Sequence, residues 1–311
     1  MPDTTSASPA ATQTSASSLD RHLLHRRGVL MVVLAVVVWS SGGAVVRAVE
    51  ADTWTIVFWR TLAAALSLFL YLAIRERRQT FAVFRTMGLA GVGVGLCFAT
   101  ASTCFIIALA YTTVANVLII QSLVPFIAAI MGLIFLKEAV PVRRWLAILG
   151  AVSGITLMVS NSLDTGAPIG DILAFVIAFS FAGATVILRR HAEVRMTPAA
   201  CLAAVFGFLF AALFADPWGV SWSDLGWLVF LGAGQLALGL ILYTNGARHI
   251  PAAEATLITV LEAILGSIWV WLIFGENPGT YAIMGGGIVL VALTIHTGLD
   301  WRQARMAPPA A

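Results

Sequence analysis

Beyond a polar stretch at residues 1–20, apolar runs long enough to cross a bilayer follow one another to Thr297, separated by short polar or basic segments. About 20 apolar residues span the hydrocarbon core as a helix. On that criterion the pattern predicts ten spans. The first five are Gly28–Val46, Trp54–Ile74, Gly88–Ala110, Thr113–Phe135 and Trp145–Ser160. The second five are Asp171–Leu188, Pro198–Ala215, Leu225–Asn245, Ala252–Phe274 and Tyr281–Thr297. All are expected to be helices, because an open strand leaves its backbone polar groups unsatisfied in lipid. Residues 1–20, rich in Ser, Thr, Ala and Gln, are expected to be disordered.

Composition agrees. Of 311 residues, 60% are hydrophobic and 11% charged, and mean hydropathy is +0.94; soluble domains carry about 25% charged residues. The run at Gly28 is a first span rather than a cleaved leader, since about 27 residues precede it and nine apolar runs follow.

Charge placement gives an orientation. With the N-terminus in the cytoplasm, Arg47 alone of the 18 basic residues falls outside and Arg60 falls within a span; the other sixteen lie in cytoplasmic segments. This is the positive-inside bias, and it predicts both termini cytoplasmic. Trp54, Trp218, Trp222 and Trp227 at outer edges, with Trp145 and Trp301 at inner ones, read as belt residues. The basic residues flank apolar runs and form no soluble phosphate-binding face, so nucleic acid is not an expected partner.

Five plus five suggests an internal duplication. At an offset of 138 residues, Glu138 falls on Glu276, Ala115 on Ala253, Ile120 on Ile258, Leu123 on Leu261 and Ile130 on Ile268. An odd number of spans per half places the halves in opposite orientation, an architecture of secondary transporters with a site near the midplane. The expected organisation is an N-tail at 1–27, repeats at 28–160 and 171–297, an outer linker at 161–170 and a C-tail at 298–311.

Few residues carry chemistry. Glu262 lies near the middle of span nine, where a charged side chain costs roughly 2.5–3.5 kcal/mol on insertion scales. It is a candidate for the central cavity and for proton coupling; a protonated structural Glu between helices is the alternative. Trp269 shares its face at helical spacing, as pocket wall or packing seam. Pro125 lacks a backbone donor and frees the carbonyl of Gln121; with Asn116, Gln121 and Ser122 it makes span four a polar-lined, kinked helix or an interhelical contact. Trp39, deep in span one, lines a cavity or packs in the core. Glu254 near the start of span nine is accounted for by the helix dipole. Arg60, in the outer half of span two, is expected to snorkel outward to Glu50, Asp52 or Glu276; contact with a carboxylate on the substrate is the alternative. Cys97, Cys104 and Cys201 all lie in apolar runs, which argues against a disulfide framework. No metal-ligand spacing and no Walker motif is present, so neither a metal, a cofactor nor ATP is implied. The glycines at 91, 93 and 95 form a packing face rather than a nucleotide loop.

The ordered set Trp39-Ser-Ser-Gly-Gly with Arg47, Phe58-Trp-Arg60, Gln121-Ser-Leu-Val-Pro125 with Lys137-Glu138, Gly170-Asp171, Leu261-Glu262-Ala263 and Phe274-Gly-Glu276 resembles the EamA-like branch of the drug/metabolite transporter superfamily over residues 28–297. The resemblance implies an all-α polytopic membrane protein of ten transmembrane helices in two inverted five-helix repeats. It also implies a permease of a bacterial-type inner membrane, exporting small metabolites such as amino acids or organic cations. Where the family often has proline after Leu-Glu, this chain has Ala263, so a kink is implied at Pro125 only. An intramembrane enzyme, a channel and a membrane scaffold are the competing classes. The five histidines, in tails, loops or at a span end, do not combine into one catalytic site.

Overall fold

The computed structural model describes residues 9–136, 149–150, 153–154, 168–191, 193–194, 196–249, 258–259, 261–275, 279–280, 283–288 and 290–291. Span five, apart from four of its residues, and the end of span ten lie outside these, as do Glu138, Glu254 and Glu276. Among the described residues every regular element is helical.

The helices are α1 (Pro9–Ser40), α2 (Gly42–Ala48), α3 (Thr53–Glu76), α4 (Thr80–Thr86), α5 (Gly88–Leu109), α6 (Val114–Gln121) and α7 (Val124–Leu136). After them come α8 (Pro168–Arg190), α9 (Thr197–Ala211), α10 (Trp222–Val229), a π-helical segment (Phe230–Ala237), α11 (Leu238–Gly246) and α12 (Leu261–Phe274). Among the described residues, six runs are long and apolar enough to cross a membrane: Leu23–Ala48, Thr53–Thr86, Gly88–Leu109, Val114–Phe135, Pro168–Leu188 and Trp222–Gly246. Thr197–Ala211 and Leu261–Phe274 are shorter apolar helices.

Local chemistry explains several ends. Asp52 accepts from the backbone N–H of Trp54 and Thr55 at 2.9 and 3.1 Å and so caps α3. Thr113 does the same for α6 through Asn116 N–H, and Ser221 for α10 through Asp224 N–H. Pro198 sits in the first turn of α9, where its missing donor costs nothing.

Three features depart from the expected pattern. Backbone helix starts at Pro9, inside the stretch expected to be disordered; its Ala, Gln and Leu cost a helix little. Span four is two helices rather than one bent one, parted at Ser122–Leu123. Span eight is one run containing a π segment that periodicity does not reveal, because a π turn leaves the run apolar.

Packing interleaves the early and late helices. The α5 helix lies against α8 and α9, α3 against α9 and the π segment, α1 against α11 and α12, and α6 against α8 and α12. The buried residues are mostly Ala, Val, Leu and Ile, with Gly and Ala at the closest crossings. Large side chains such as Leu66, Ile74, Leu89 and Leu213 point outward, as lipid-facing positions do.

Candidate functional site

One wall of the central cavity is organised around Arg60. It lies on α3 on the same stripe as Val57, Ala64 and Leu68, and is only 4% exposed. Its Nη1 donates to Ser102 O at 3.2 Å and Ser102 Oγ at 3.0 Å, and its Nη2 donates to Gln235 Oε1 at 3.4 Å. The Gln235 amide in turn donates from Nε2 to the carbonyl of Trp39 at 3.1 Å. One glutamine thus ties the guanidinium to the end of α1.

The π segment makes this possible. A widened turn shifts the side chains that follow it around the helix axis, a distortion frequent at functional sites. Gly232 allows the segment to lie directly on α3: a Cβ there would come within 2.3 Å of Arg60 O and 2.9 Å of Ala64 N. Gly239 seats Trp39 in the same way, since a Cβ would meet the indole Nε1 at 2.0 Å.

A second wall is aromatic. Trp39, 8% exposed, packs on Tyr243 with ring centroids 5.3 Å apart and meets the edge of Phe181 at 6.5 Å. Phe181 also meets Phe98 at 5.4 Å and Tyr243 at 5.9 Å. Edge-to-face pairs of this kind add about 0.5–1.5 kcal/mol each beyond their area and fix ring orientation.

The third wall carries the carboxylate. Glu262 on α12 is 9% exposed and faces the cavity with Gln121 at the end of α6. There the α-helical ladder gives way to tighter turns: Ser122 N–H donates to Ile119 O at 3.0 Å, Leu123 N–H to Ile120 O at 3.0 Å and Phe126 N–H to Leu123 O at 2.9 Å. Pro125 follows as the second residue of α7, a position that needs no donor. The break is therefore a reset of the helix ahead of the proline rather than a kink at it.

Together these walls enclose about 680 Å³ of unfilled space counted to its mouth, of which about 80 Å³ admits the centre of a water molecule. That accommodates a small solute and no macromolecule. A smaller void of about 340 Å³, lined by Leu118, Ser122, Pro125, Thr259 and Ala263, shares Gln121, Phe181 and Glu262 with it. Glu262 therefore stands between two spaces. Arg60 forms no ion pair with Glu262 among the described residues, although both line the larger cavity.

Of the residues singled out from sequence, Trp39, Gln121 and Glu262 meet in the larger cavity, and Pro125 borders the smaller one. Asn116 lies elsewhere: its Nδ2 donates to Thr112 Oγ1 at 3.1 Å and to Asp171 Oδ1 at 3.5 Å, joining α6 to the first turn of α8. Trp269 is 41% exposed and donates from Nε1 to Ser40 Oγ at 3.2 Å, a clamp between α12 and α1. Arg60 does not snorkel. Asp52 is occupied as a helix cap, and the arginine lies about two turns inside α3 on its buried face. The signal was present, since Val57, Arg60, Ala64 and Leu68 follow helical spacing. Gln235 was missed as well; a lone amide in the apolar run around it was the clue. Cys97, Cys104 and Cys201 are free thiols, and no group of three potential metal ligands occurs among the described residues.

Comparison with known proteins agrees with this architecture. The profile of the EamA-like transporter family matches residues 26–160 and 168–297. The pseudopaline exporter CntI of Pseudomonas aeruginosa strain UCBPP-PA14 is 27% identical over 285 residues, covering 86% of this chain and 95% of the exporter. An uncharacterized transporter of P. aeruginosa, PA0485, is 26% identical over 192 residues, 59% of this chain and 62% of that protein. A protein of known crystal structure shares the fold with a TM-score of 0.65 at 17% identity, covering 88% of this chain and 97% of its own. With both segments matched, the chain belongs to the EamA-like transporter family and is an integral membrane protein that acts on a small molecule.

Proposed function

We propose that this protein is a secondary transporter of a bacterial inner membrane that exports a small metabolite, an amino acid or an organic cation, by alternating access. Ten helices in two inverted five-helix repeats, residues 28–160 and 171–297, rock about the central cavity. The linker at 161–170 is outside, and the tails at 1–27 and 298–311 are cytoplasmic. The observation that carries this reading is that helices of both matched segments wall one charged cavity: Trp39, Arg60, Ser102 and Gln121 from the first, Phe181, Gln235 and Glu262 from the second. Motion of one half against the other would move the mouth without dismantling either half. The name of the exporter CntI supports the outward direction.

Trp39, Gln121 and Glu262 contact the solute in this scheme, while Asn116 and Trp269 hold the helices that carry them. Pro125 keeps the α6–α7 junction broken, so that α6 and α7 can tilt separately. Glu262 is the coupling group, taking a proton in one orientation and releasing it in the other. Arg60 is the charged group that shares its cavity. No ATP, metal, cofactor or nucleic acid is required, and no catalytic step is proposed.

The test is solute exchange by the purified protein in liposomes, after a thermal-shift screen of amino acids, nucleosides, vitamins and organic cations. Saturable counterflow of a hit is expected. Flux that never saturates would indicate a channel, and a ligand that binds without crossing would indicate a receptor or enzyme. Glu262→Gln should retain solute binding and lose the pH dependence of transport; an unchanged pH profile removes Glu262 from coupling. Cysteine accessibility of the Arg75–Arg85 segment from the cytoplasmic side checks the orientation.

A further inference from the structure

Away from the cavity, at the helix ends that the basic residues put outside, the two matched segments are joined by polar bonds. Thr55 on α3 meets the loop after α9 twice over: its Oγ1 donates to Asp216 O at 3.2 Å and accepts from Asp216 N–H at 3.0 Å. One turn further along α3, Trp59 Nε1 donates to Pro217 O at 3.2 Å. A second point of contact lies at the start of α6, where Asn116 Nδ2 donates to Asp171 Oδ1 at 3.5 Å. Gly170 brings the first turn of α8 against the α5–α6 turn there, since a Cβ would come within 2.7 Å of the Thr112 side chain. Arg47 holds that turn from the end of α2, donating to Leu109 O at 3.0 Å and Thr112 O at 3.1 Å. The turn therefore moves with the first segment, and Asp171 with the second.

Beneath these bonds the way to the cavity is closed by packing. Phe105 and Ile177 line the cavity. Both belong to one buried apolar cluster that also takes in Val46, Leu109, Val114 and Ala174, near the outer ends of α2, α5, α6 and α8. Opening the cavity outward must part that cluster and break the bonds above it. Asp216 is exposed and Asn116 half-buried, so water can take over their bonds as the segments separate. A hydrogen bond exchanged for water in this way shifts a two-state equilibrium by about two- to tenfold. That is enough to favour the closed arrangement and too little to lock it.

We infer that Thr55, Trp59 and Asn116 form an outer latch that holds the cavity shut on its outer side, with Asp171 and the backbone of Asp216 and Pro217 as its catches. The latch goes beyond the carrier reading above and rests on it. Because it joins one segment to the other, it releases each time the cavity opens outward and re-forms before the cavity opens inward. None of its residues lines the cavity, so it acts on the opening equilibrium and not on the solute.

The test uses the full chain with Cys97, Cys104 and Cys201 replaced by alanine and one reporter, Ala101→Cys, on the cavity wall. A membrane-impermeant methanethiosulfonate is applied to intact cells for the outer side and to inverted vesicles for the inner. Thr55→Val, Trp59→Phe and Asn116→Leu should each raise the labelling rate from outside about two- to tenfold, and leave it unchanged or lower from the cytoplasmic side. Thr55→Val combined with Asn116→Leu should multiply the two effects, because the contacts are separate. Asn116→Asp alone sets a carboxylate against Asp171 and should also open the outer side; adding Asp171→Asn restores a matched pair and should return the rate towards wild type. Outside rates that stay at the wild-type level overturn the latch. So does labelling that rises equally from both sides, the mark of a bundle merely loosened. If Asn116→Leu does not reach the membrane, the reversed pair and Trp59→Phe, which keeps an aromatic ring, decide. The carrier reading fails separately: absence of saturable counterflow by the wild-type protein removes transport, while the labelling rates still show whether the outer side is latched.

Discussion

On the Arg60 side of the cavity, polar groups are bound to one another across four segments: α3 to α5 through Ser102, α3 to the π segment through Gln235, and the π segment to α1 through the Trp39 carbonyl. On the Glu262 side, Gln121 Oε1 has no partner, the helix beneath it is broken, and a second void lies behind. The Arg60 wall is preorganised, with glycine holding backbones in contact. The Glu262 wall is open to rearrangement. Side-chain bonds that cross between helices restrain the Arg60 wall even though Arg60 Nε and Trp39 Nε1 lack partners, whereas a broken helix beside a void marks where the structure can change state at low cost. A carrier needs both, a fixed recognition face and a part that moves.

That contrast can be broken most directly at Gly232. Gly232→Val must push the π segment off α3 and is expected to lower stability by about 3 kcal/mol, with loss of solute binding. Thermal unfolding in detergent measures it, and an unchanged midpoint would mean the wall is not rigid. Gln235→Ala comes next, at about 1.5–3 kcal/mol, because it removes a hydrogen bond to a buried charge and leaves the Trp39 carbonyl without its amide. On the other wall, Pro125→Ala should change stability by less than about 1 kcal/mol, since first-turn proline is merely tolerated there. Turnover in liposomes should nevertheless fall several-fold. Wild-type turnover would take the α6–α7 break out of the mechanism. The smallest stability effect is expected for Gln121→Met, within about 1 kcal/mol of wild type or slightly stabilising, because it removes an acceptor that had no partner. A loss as large as that of Gln235→Ala would show that the two walls are equally committed.

Much of the candidate site was legible before folding was considered. Glu262 stood out because a carboxylate inside an apolar span is costly, and Trp39 because a deep indole needs a place for its N–H. Asn116 was read as lining the cavity or bonding between helices, and Trp269, from the face it shares with Glu262, as pocket wall or packing seam; their partners are Asp171, Thr112 and Ser40 rather than the cavity. Intramembrane polarity identifies residues that must be compensated, not what compensates them. Arg60 illustrates the converse: nearby carboxylates made snorkelling reasonable, and only the buried stripe Val57–Ala64–Leu68 argued otherwise.

The chain by itself therefore determined the apolar helices, the capping residues Asp52 and Thr113 that begin two of them, and a bend in span four at the level of Pro125, though not that span four is two helices parted ahead of the proline. These follow from local rules, because a segment in lipid must satisfy its own backbone whatever surrounds it. Tertiary structure decided which polar groups share a space. Arg60 meets Ser102, 42 residues away, and Gln235, 175 residues away; the π turn that aims Gln235 exists where Gly232 lets two backbones touch. Such meetings depend on how helices cross, and crossing is set by packing among distant residues that no local pattern encodes.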